Sequence, residues 1–126
     1  EGWITDSDLR ARVIRSEMET KAVALTIQRS RKDRAKTANP NATTSILKNA
    51  TIAAEQARME LLIELLGSDG LGWEGEAFSP EALQAVRDWL RGKAGSIYGG
   101  TFEIQNNIIA KRILGLPGSG SGSGTA

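Results

Sequence analysis

The chain has 126 residues, a length that fits one domain with a hydrophobic core of its own. Its 16 basic and 15 acidic residues nearly cancel, so charge gives no reason to expect nucleic acid or a membrane as a partner. Cysteine and histidine are absent, which excludes disulfides, thiol chemistry, the usual near-neutral base and most zinc sites. Because no apolar run reaches membrane-spanning length and no signal-peptide pattern opens the chain, we expect a cytoplasmic protein.

The first predicted element is a long helix that Asp6 or Ser7 can cap and that reaches about Lys32. Apolar residues recur along it at helical spacing, which predicts one buried face. This face comprises Leu9, Val13 or Ile14, Met18, Ala22 and Leu25. A basic cluster follows, made of Arg29, Arg31, Lys32, Arg34 and Lys36. Such a cluster is typical of a solvated helix end, where cations complement the helix dipole, and an anionic partner is the alternative.

A loop at 37–44, marked by Asn-Pro-Asn, separates this helix from a second one predicted from about Thr43 to Leu66. The predicted buried face of the second helix comprises Ile46, Leu47, Ala50, Ala53, Ala54, Ala57, Leu61 and Leu65. Three carboxylates on the same helix, Glu55, Glu60 and Glu64, are an alternative metal or acid–base site. Without histidine or a second acidic motif, they indicate a solvated face instead.

A glycine-containing loop spans Gly67–Phe78, and we expect Trp73 and Phe78 to anchor it to the core. It lacks the Gly-Lys-Ser/Thr ending of a phosphate-binding P-loop. Ser79-Pro80-Glu81 then predicts a helix start, with a capping hydroxyl, a proline at the first position and an acidic first turn. The predicted buried face of this third helix comprises Leu83, Val86 and Leu90.

The last predicted helix begins where Gly99 and Gly100 lead into Thr101, whose hydroxyl can cap it. Ile104, Ile108 and Ile109 form its predicted face, and Gly115 and Pro117 mark its end. The glycines allow another molecule to approach the backbone, and the unpaired first-turn amides favour a polar or anionic oxygen. From residue types alone, this helix start suits contact with a ligand, and a tight connection between two packed helices is equally compatible.

Together these elements predict an all-α fold, an antiparallel four-helix bundle over residues 1–117. Residues 118–126 have the Gly/Ser composition of a flexible tail or linker, and we expect them to lie outside the fold.

The carboxyl-terminal signature of acyl-CoA dehydrogenases resembles the stretch I-Y-G-G-T-F-E-I-Q-N-N-I-I-A-K-R-I-L-G-L-P, residues 97–117. Two upstream segments resemble the same family at the expected spacing, S-I-L-K at Ser45–Lys48 and E-L-L-G at Glu64–Gly67. The resemblance therefore extends over roughly residues 6–117 and is most specific at its end. It implies the C-terminal helical bundle domain of that family.

The resemblance also implies flavin chemistry, because the family oxidises acyl-CoA thioesters between the α and β carbons with FAD as hydride acceptor. By position, the candidate FAD-contacting residues in this chain are Gly99, Gly100, Thr101, Glu103 and Gln105. No catalytic residue is implied here, since Gly99 stands where some members carry the catalytic glutamate and other members carry it on a helix with no counterpart in this sequence. Asn106 also stands where an arginine is common, which removes one charge.

The resemblance implies partners as well, because the family's amino-terminal helical domain and central β domain have no counterpart in these 126 residues. We expect this chain to bind those domains, to assemble into homo- or hetero-oligomers through its last helix, and to meet acyl-CoA, from fatty acid or steroid catabolism, only within the whole enzyme. One hypothesis is thus a C-terminal fragment of an acyl-CoA dehydrogenase, not catalytic alone. The alternative is a stand-alone helical interaction module without enzymatic activity.

Overall fold

The computed structural model describes residues 4–33 and 40–117, and over these it contains four α-helices and no strand. The helices are α1 (Ser7–Asp33), α2 (Pro40–Leu66), α3 (Pro80–Gly92) and α4 (Phe102–Arg112). Two short 3-10 turns, Gly67–Leu71 and Lys93–Ser96, follow α2 and α3. The prediction of an all-α domain with four helices is confirmed.

Most helix ends lie where the local sequence predicts them. The Asp6 carboxylate accepts hydrogen bonds from the amides of Asp8 (2.8 Å) and Leu9 (3.0 Å), so Asp6 caps α1. The predicted start of α2 is wrong, because the helix begins at Pro40 and not near Thr43. A proline suits the first helical position, where its missing N–H would have no intrahelical partner.

Some predictions lie outside the described residues. They concern the basic residues Arg34 and Lys36, the first part of the loop predicted at 37–44, and the tail at 118–126.

The predicted buried face of α1 is largely wrong. Leu9 and Val13 are half-buried as expected, but Met18 is 67% exposed and Leu25 is 53% exposed. The side of α1 that is turned inward continues instead through Ser16, Val23, Ile27 and Ser30, all half-buried. An apolar stripe of Ile14, Met18 and Leu25 therefore stays at the surface, and we call it the α1 stripe.

The central helix is α2, which contacts α1, α3, α4 and both 3-10 turns. Leu61 is buried and Leu47 and Ala54 are half-buried, as predicted. The rest of the predicted face is exposed: Ile46, Ala50, Ala53, Ala57 and Leu65. Because partners approach α2 from several directions, its buried residues are spread around the helix and do not form one stripe.

The start of α3 agrees with prediction, since the Ser79 hydroxyl accepts a hydrogen bond from the Ala82 amide at 3.1 Å. Val86 is buried as expected, whereas Leu90 is 46% exposed. Trp73 does not anchor the preceding loop in the core, because it is 55% exposed. Phe78 does so, since its ring lies directly over Gly72 and leaves no room for a Cβ there.

The core of the described domain is thin. Only Leu61, Ala82 and Val86 are buried apolar side chains among the described residues. Three cavities lie along α2, and neighbouring cavities share a lining residue, Arg58 in one case and Leu62 in the other. The largest of the three, of about 450 Å³, lies between α2 and α3, and the other two lie between α1 and α2. We call this row of cavities the α1–α3 groove.

Candidate functional site

The turn that precedes α4 contains two glycines in the left-handed region, with φ of 67° at Gly99 and 96° at Gly100. The space around them differs. A Cβ at Gly99 would meet no heavy atom within 4 Å, whereas a Cβ at Gly100 would lie 2.9 Å from Gln105 Nε2. Gly99 thus presents an open backbone face, and Gly100 is packed against the chain itself. Both positions require glycine for backbone conformation, but only Gly99 leaves room for an approaching group.

Thr101 caps α4 as predicted. Its Oγ1 accepts a hydrogen bond from the Ile104 amide at 3.4 Å, and its carbonyl accepts one from the Gln105 amide at 2.9 Å. The amides at the very start of the helix have no intrahelical carbonyl to bind, as at any helix start. The turn therefore combines an open backbone face with hydrogen-bond donors.

Glu103 lies exposed in the first turn of α4. A hydrogen bond with the Thr101 side chain is the main reason why the pKa of Glu103 lies below its ordinary value, with its own backbone amide and the positive charge of Lys48 acting in the same direction. A carboxylate with a lowered pKa is a hydrogen-bond acceptor at neutral pH and a poor proton acceptor. The geometry agrees with a binding or capping use of Glu103 and not with a general base.

Gln105 points inward. It is 8% exposed, and its Nε2 donates a hydrogen bond of 2.5 Å to the carbonyl of Gly99. The side chain therefore links two residues that are six positions apart and holds the turn against the start of α4. Of the five residues implied by the resemblance, Gly99, Thr101 and Glu103 face outward or lie part-exposed, while Gly100 and Gln105 pack against each other.

Lys48 of α2 reaches the same turn, although sequence reasoning did not select it. Its Nζ donates to the carbonyl of Gly100 at 2.7 Å and lies 3.5 Å from the carbonyl of Ser96. The ammonium also lies 4.7 Å from the centre of the Phe102 ring, within cation–π range. The only signal in the sequence was the S-I-L-K segment, which marks the residue but not its contact.

Exposed apolar side chains surround the turn. Ile97 is 66% exposed, Tyr98 is 72% exposed and Ile104 is 52% exposed. The prediction that Ile104 belongs to the buried face of α4 is therefore wrong, whereas Ile108 and Ile109 are half-buried. We call Ile97, Tyr98 and Ile104 the apolar rim.

Asn106 has a partner on α2, because its Oδ1 accepts a hydrogen bond of 2.9 Å from Asn49 Nδ2. Asn106 thus serves as a neutral contact between α2 and α4.

Two of the three glutamates considered on α2, Glu60 and Glu64, form ion pairs. The two terminal nitrogens of Arg12 donate to the two carboxylate oxygens of Glu64, Nη1 to Oε1 at 2.7 Å and Nη2 to Oε2 at 2.5 Å. Lys93 pairs with Glu60. Over the described ranges, no group of three or more acidic side chains is arranged to hold a metal ion. Within the same ranges, none of the helices is long and apolar enough to cross a membrane.

Comparison with known proteins agrees with this architecture. Residues 2–114 match the family model described as "Acyl-CoA dehydrogenase, C-terminal domain". The chain belongs to the acyl-CoA dehydrogenase family, and the matched region is the C-terminal helical domain of that family.

Two curated relatives are both named acyl-CoA dehydrogenase IpdE1. The protein from Mycolicibacterium smegmatis is 43% identical over 58 residues, which is 46% of this chain and 14% of the relative. The protein from Mycobacterium tuberculosis is 40% identical over 63 residues, which is 50% of this chain and 15% of the relative. The matched segments thus cover about one seventh of either relative. No solved structure matches the chain significantly.

Proposed function

We propose that this domain is the C-terminal part of an FAD-dependent acyl-CoA dehydrogenase and that the start of α4 contributes contacts to the flavin cofactor. The observation that carries the proposal is the open left-handed turn at Gly99, which leads directly into the capped helix. A cytoplasmic location and assembly of subunits through α4 belong to the same proposal.

The residues present fit a flat, partly apolar cofactor that also carries hydroxyl and phosphate groups. The open face of Gly99 lets a group approach the backbone to a distance that a side chain would prevent. The apolar rim offers surface that a ring system would remove from water. Bound FAD would supply the hydride acceptor that the side chains of this domain lack.

The polar groups of the turn suit different polar groups of the cofactor. Glu103 carries a negative charge and accepts hydrogen bonds, so it suits a hydroxyl of the cofactor and would repel a phosphate at the same point. Among the first-turn amides of α4, those of Ile104 and Glu103 already have side-chain partners, so the Phe102 amide is the donor that suits an oxygen acceptor of the cofactor. Gly100 and Gln105 have an indirect role. They pack against each other and so hold the backbone conformation of the turn that contains Gly99 and Thr101.

The domain would bind and orient but would not remove the substrate proton. Gly99 has no side chain, and Glu103 has a lowered pKa, so neither supplies a base. We therefore expect the 126-residue chain alone to show no acyl-CoA-dependent reduction of an electron acceptor. Stoichiometric FAD binding together with such activity in the isolated chain would contradict this expectation.

Two surfaces support the view that this domain works within a larger protein. The α1 stripe exposes Ile14, Met18 and Leu25, and the half-buried Met59 and Leu62 line the α1–α3 groove. A groove between helices of a bundle is suited to receive another helix. We propose that the remaining parts of the dehydrogenase cover these surfaces.

The direct test adds a side chain to the open face of Gly99. The substitution is made in the complete protein that contains this domain, and the variant is purified from the native host. Gly99→Asn tolerates the left-handed backbone better than other substitutions. We expect it to weaken FAD retention by about tenfold or more. Flavin absorbance before and after desalting measures the retention.

Gly67→Asn is the matched control, because Gly67 also has a positive φ (57°) and a Cβ there would likewise meet no heavy atom within 4 Å. The two variants should lose similar thermal stability, while only Gly99→Asn loses flavin. An unmodified protein that contains no flavin, or equal FAD retention in the two variants, would contradict the proposal.

A further inference from the structure

The carbonyl groups of the two glycines are both held by side chains. Gln105 Nε2 binds the carbonyl of Gly99 at 2.5 Å, and Lys48 Nζ binds the carbonyl of Gly100 at 2.7 Å. Gln105 belongs to the helix that the turn begins, whereas Lys48 comes from α2. Lys48 is thus the group that ties the turn to the rest of the domain.

The ammonium of Lys48 has three neighbouring groups within the domain. Two backbone carbonyls, of Gly100 and Ser96, lie at 2.7 and 3.5 Å, and the ring of Phe102 lies at 4.7 Å. These three groups stand before, within and just after the glycine turn. A single cation therefore restrains the turn on both sides. A hydrogen bond from a charged donor is roughly twice as strong as a neutral one.

Such a restraint matters because consecutive glycines lose more conformational entropy on ordering than other residues. A turn that is already ordered binds a ligand without that loss, which raises affinity. The positive charge of Lys48 also makes a small contribution to the lowered pKa of Glu103 beside the turn.

We propose that Lys48 is a positioning residue, which holds the Gly99–Thr101 turn in the shape that receives the cofactor. It acts through the carbonyl of Gly100 and touches no ligand itself. The effect of Lys48 on cofactor binding rests on the proposed function. Its effect on the conformation of the turn depends only on contacts within this chain.

The test compares Lys48→Met, which keeps the length of the side chain and removes the charge, with Lys48→Arg, which restores a charged donor. Hydrogen–deuterium exchange of the peptide at 97–104 is measured in the 126-residue chain. We expect Lys48→Met to speed exchange of this peptide by about tenfold, as the loss of one charge-assisted hydrogen bond implies. Lys48→Arg should recover most of the protection.

Lys93→Met is the matched control. Lys93 also binds a group on another helix, Glu60 of α2, and also lies over a ring, that of Trp89 at 5.2 Å. Its loss should lower thermal stability similarly and leave the peptide at 97–104 protected. Equal exchange of that peptide in Lys48→Met and Lys93→Met would show a general loss of stability and would overturn the inference.

Flavin retention in the complete protein separates this inference from the proposed function. Faster exchange together with weaker FAD retention in Lys48→Met, but not in Lys93→Met, supports both. Faster exchange with unchanged retention overturns the role of Lys48 in cofactor binding. If Gly99→Asn also retains FAD fully, the proposed function fails, while the contact between Lys48 and the turn stands on the exchange data.

Discussion

The two sides of α2 are stabilised in different ways. Toward α1, the contacts are the buried Leu61, half-buried apolar side chains, and an exposed ion pair between Arg12 and Glu64. Toward α3 and α4, polar side chains of α2 reach across to named groups: Lys48 to Gly100, Asn49 to Asn106, and Gln56 to the carbonyl of Gly92 at 3.0 Å. The first side relies on apolar packing, and the second side adds directional hydrogen bonds. One of these, from Lys48 to Gly100, lies at the glycine turn.

The largest expected effect tests the α1 side of this comparison. Leu61→Ala removes a large apolar side chain of α2 that is 7% exposed and lines the cavity between α1 and α2. We expect a loss of about 2–5 kcal/mol in the free energy of unfolding, which is a large part of the stability of a domain with so thin a core. Denaturant unfolding followed by circular dichroism measures it.

Leu25→Ala is the matched control, because Leu25 lies on the α1 stripe and is 53% exposed. The change should alter the stability of the chain by about 0.5 kcal/mol or less. A similar loss in both variants would show that the α1 stripe is buried in solution. The assignment of Ile14, Met18 and Leu25 to the exposed side of α1 would then be wrong.

A smaller effect tests the α4 side. Gln105→Ala removes the amide that binds the carbonyl of Gly99 and leaves that carbonyl without its side-chain partner. We expect a loss of about 1–3 kcal/mol. Gln84→Ala serves as control, since Gln84 is exposed and binds Asp88 of its own helix at 2.9 Å. Equal losses by thermal unfolding in both variants would contradict the assigned role of Gln105.

The smallest effect concerns the pH dependence of Glu103. Folding lowers its pKa, chiefly through the hydrogen bond with Thr101, so the folded state prefers the ionised form. Its contribution to stability is therefore complete above the ordinary pKa of a glutamate, about 4.3, and is lost as pH falls through the lowered pKa. We expect the stability difference between wild type and Glu103→Gln to shrink as pH falls through this range, measured by unfolding at several pH values. A difference that does not change with pH would show that the Glu103 pKa is not lowered on folding.

Local sequence signals predicted the helix ends well, because caps act over three or four residues. Ser79-Pro80 and Thr101 cap their helices as expected, and α2 ends at Leu66 before Gly67, which has a φ of 57°. Membership of the family could also be predicted, because the residues that carry the resemblance are contiguous, at 97–117. These features need no knowledge of which helix packs against which.

The faces of the helices were harder to predict. In α1, apolar residues occur on two sides, one through Val23 and Ile27 and another through Met18 and Leu25. Helical spacing predicts that an apolar side exists, but only the position of α2 decides which side is buried. Lys48 shows the same limit, since its partner Gly100 lies 52 residues further along the chain. Contacts of this kind arise from tertiary packing and leave no local pattern.

The close packing of Gly100 against Gln105 also constrains how this segment can change by mutation. A methyl group at position 100 would lie 2.9 Å from the Gln105 amide nitrogen, and a φ of 96° disfavours any side chain there. Shortening residue 105 would relieve the first conflict but not the second. We therefore expect any side chain at position 100 to lower stability, whether or not residue 105 is shortened at the same time.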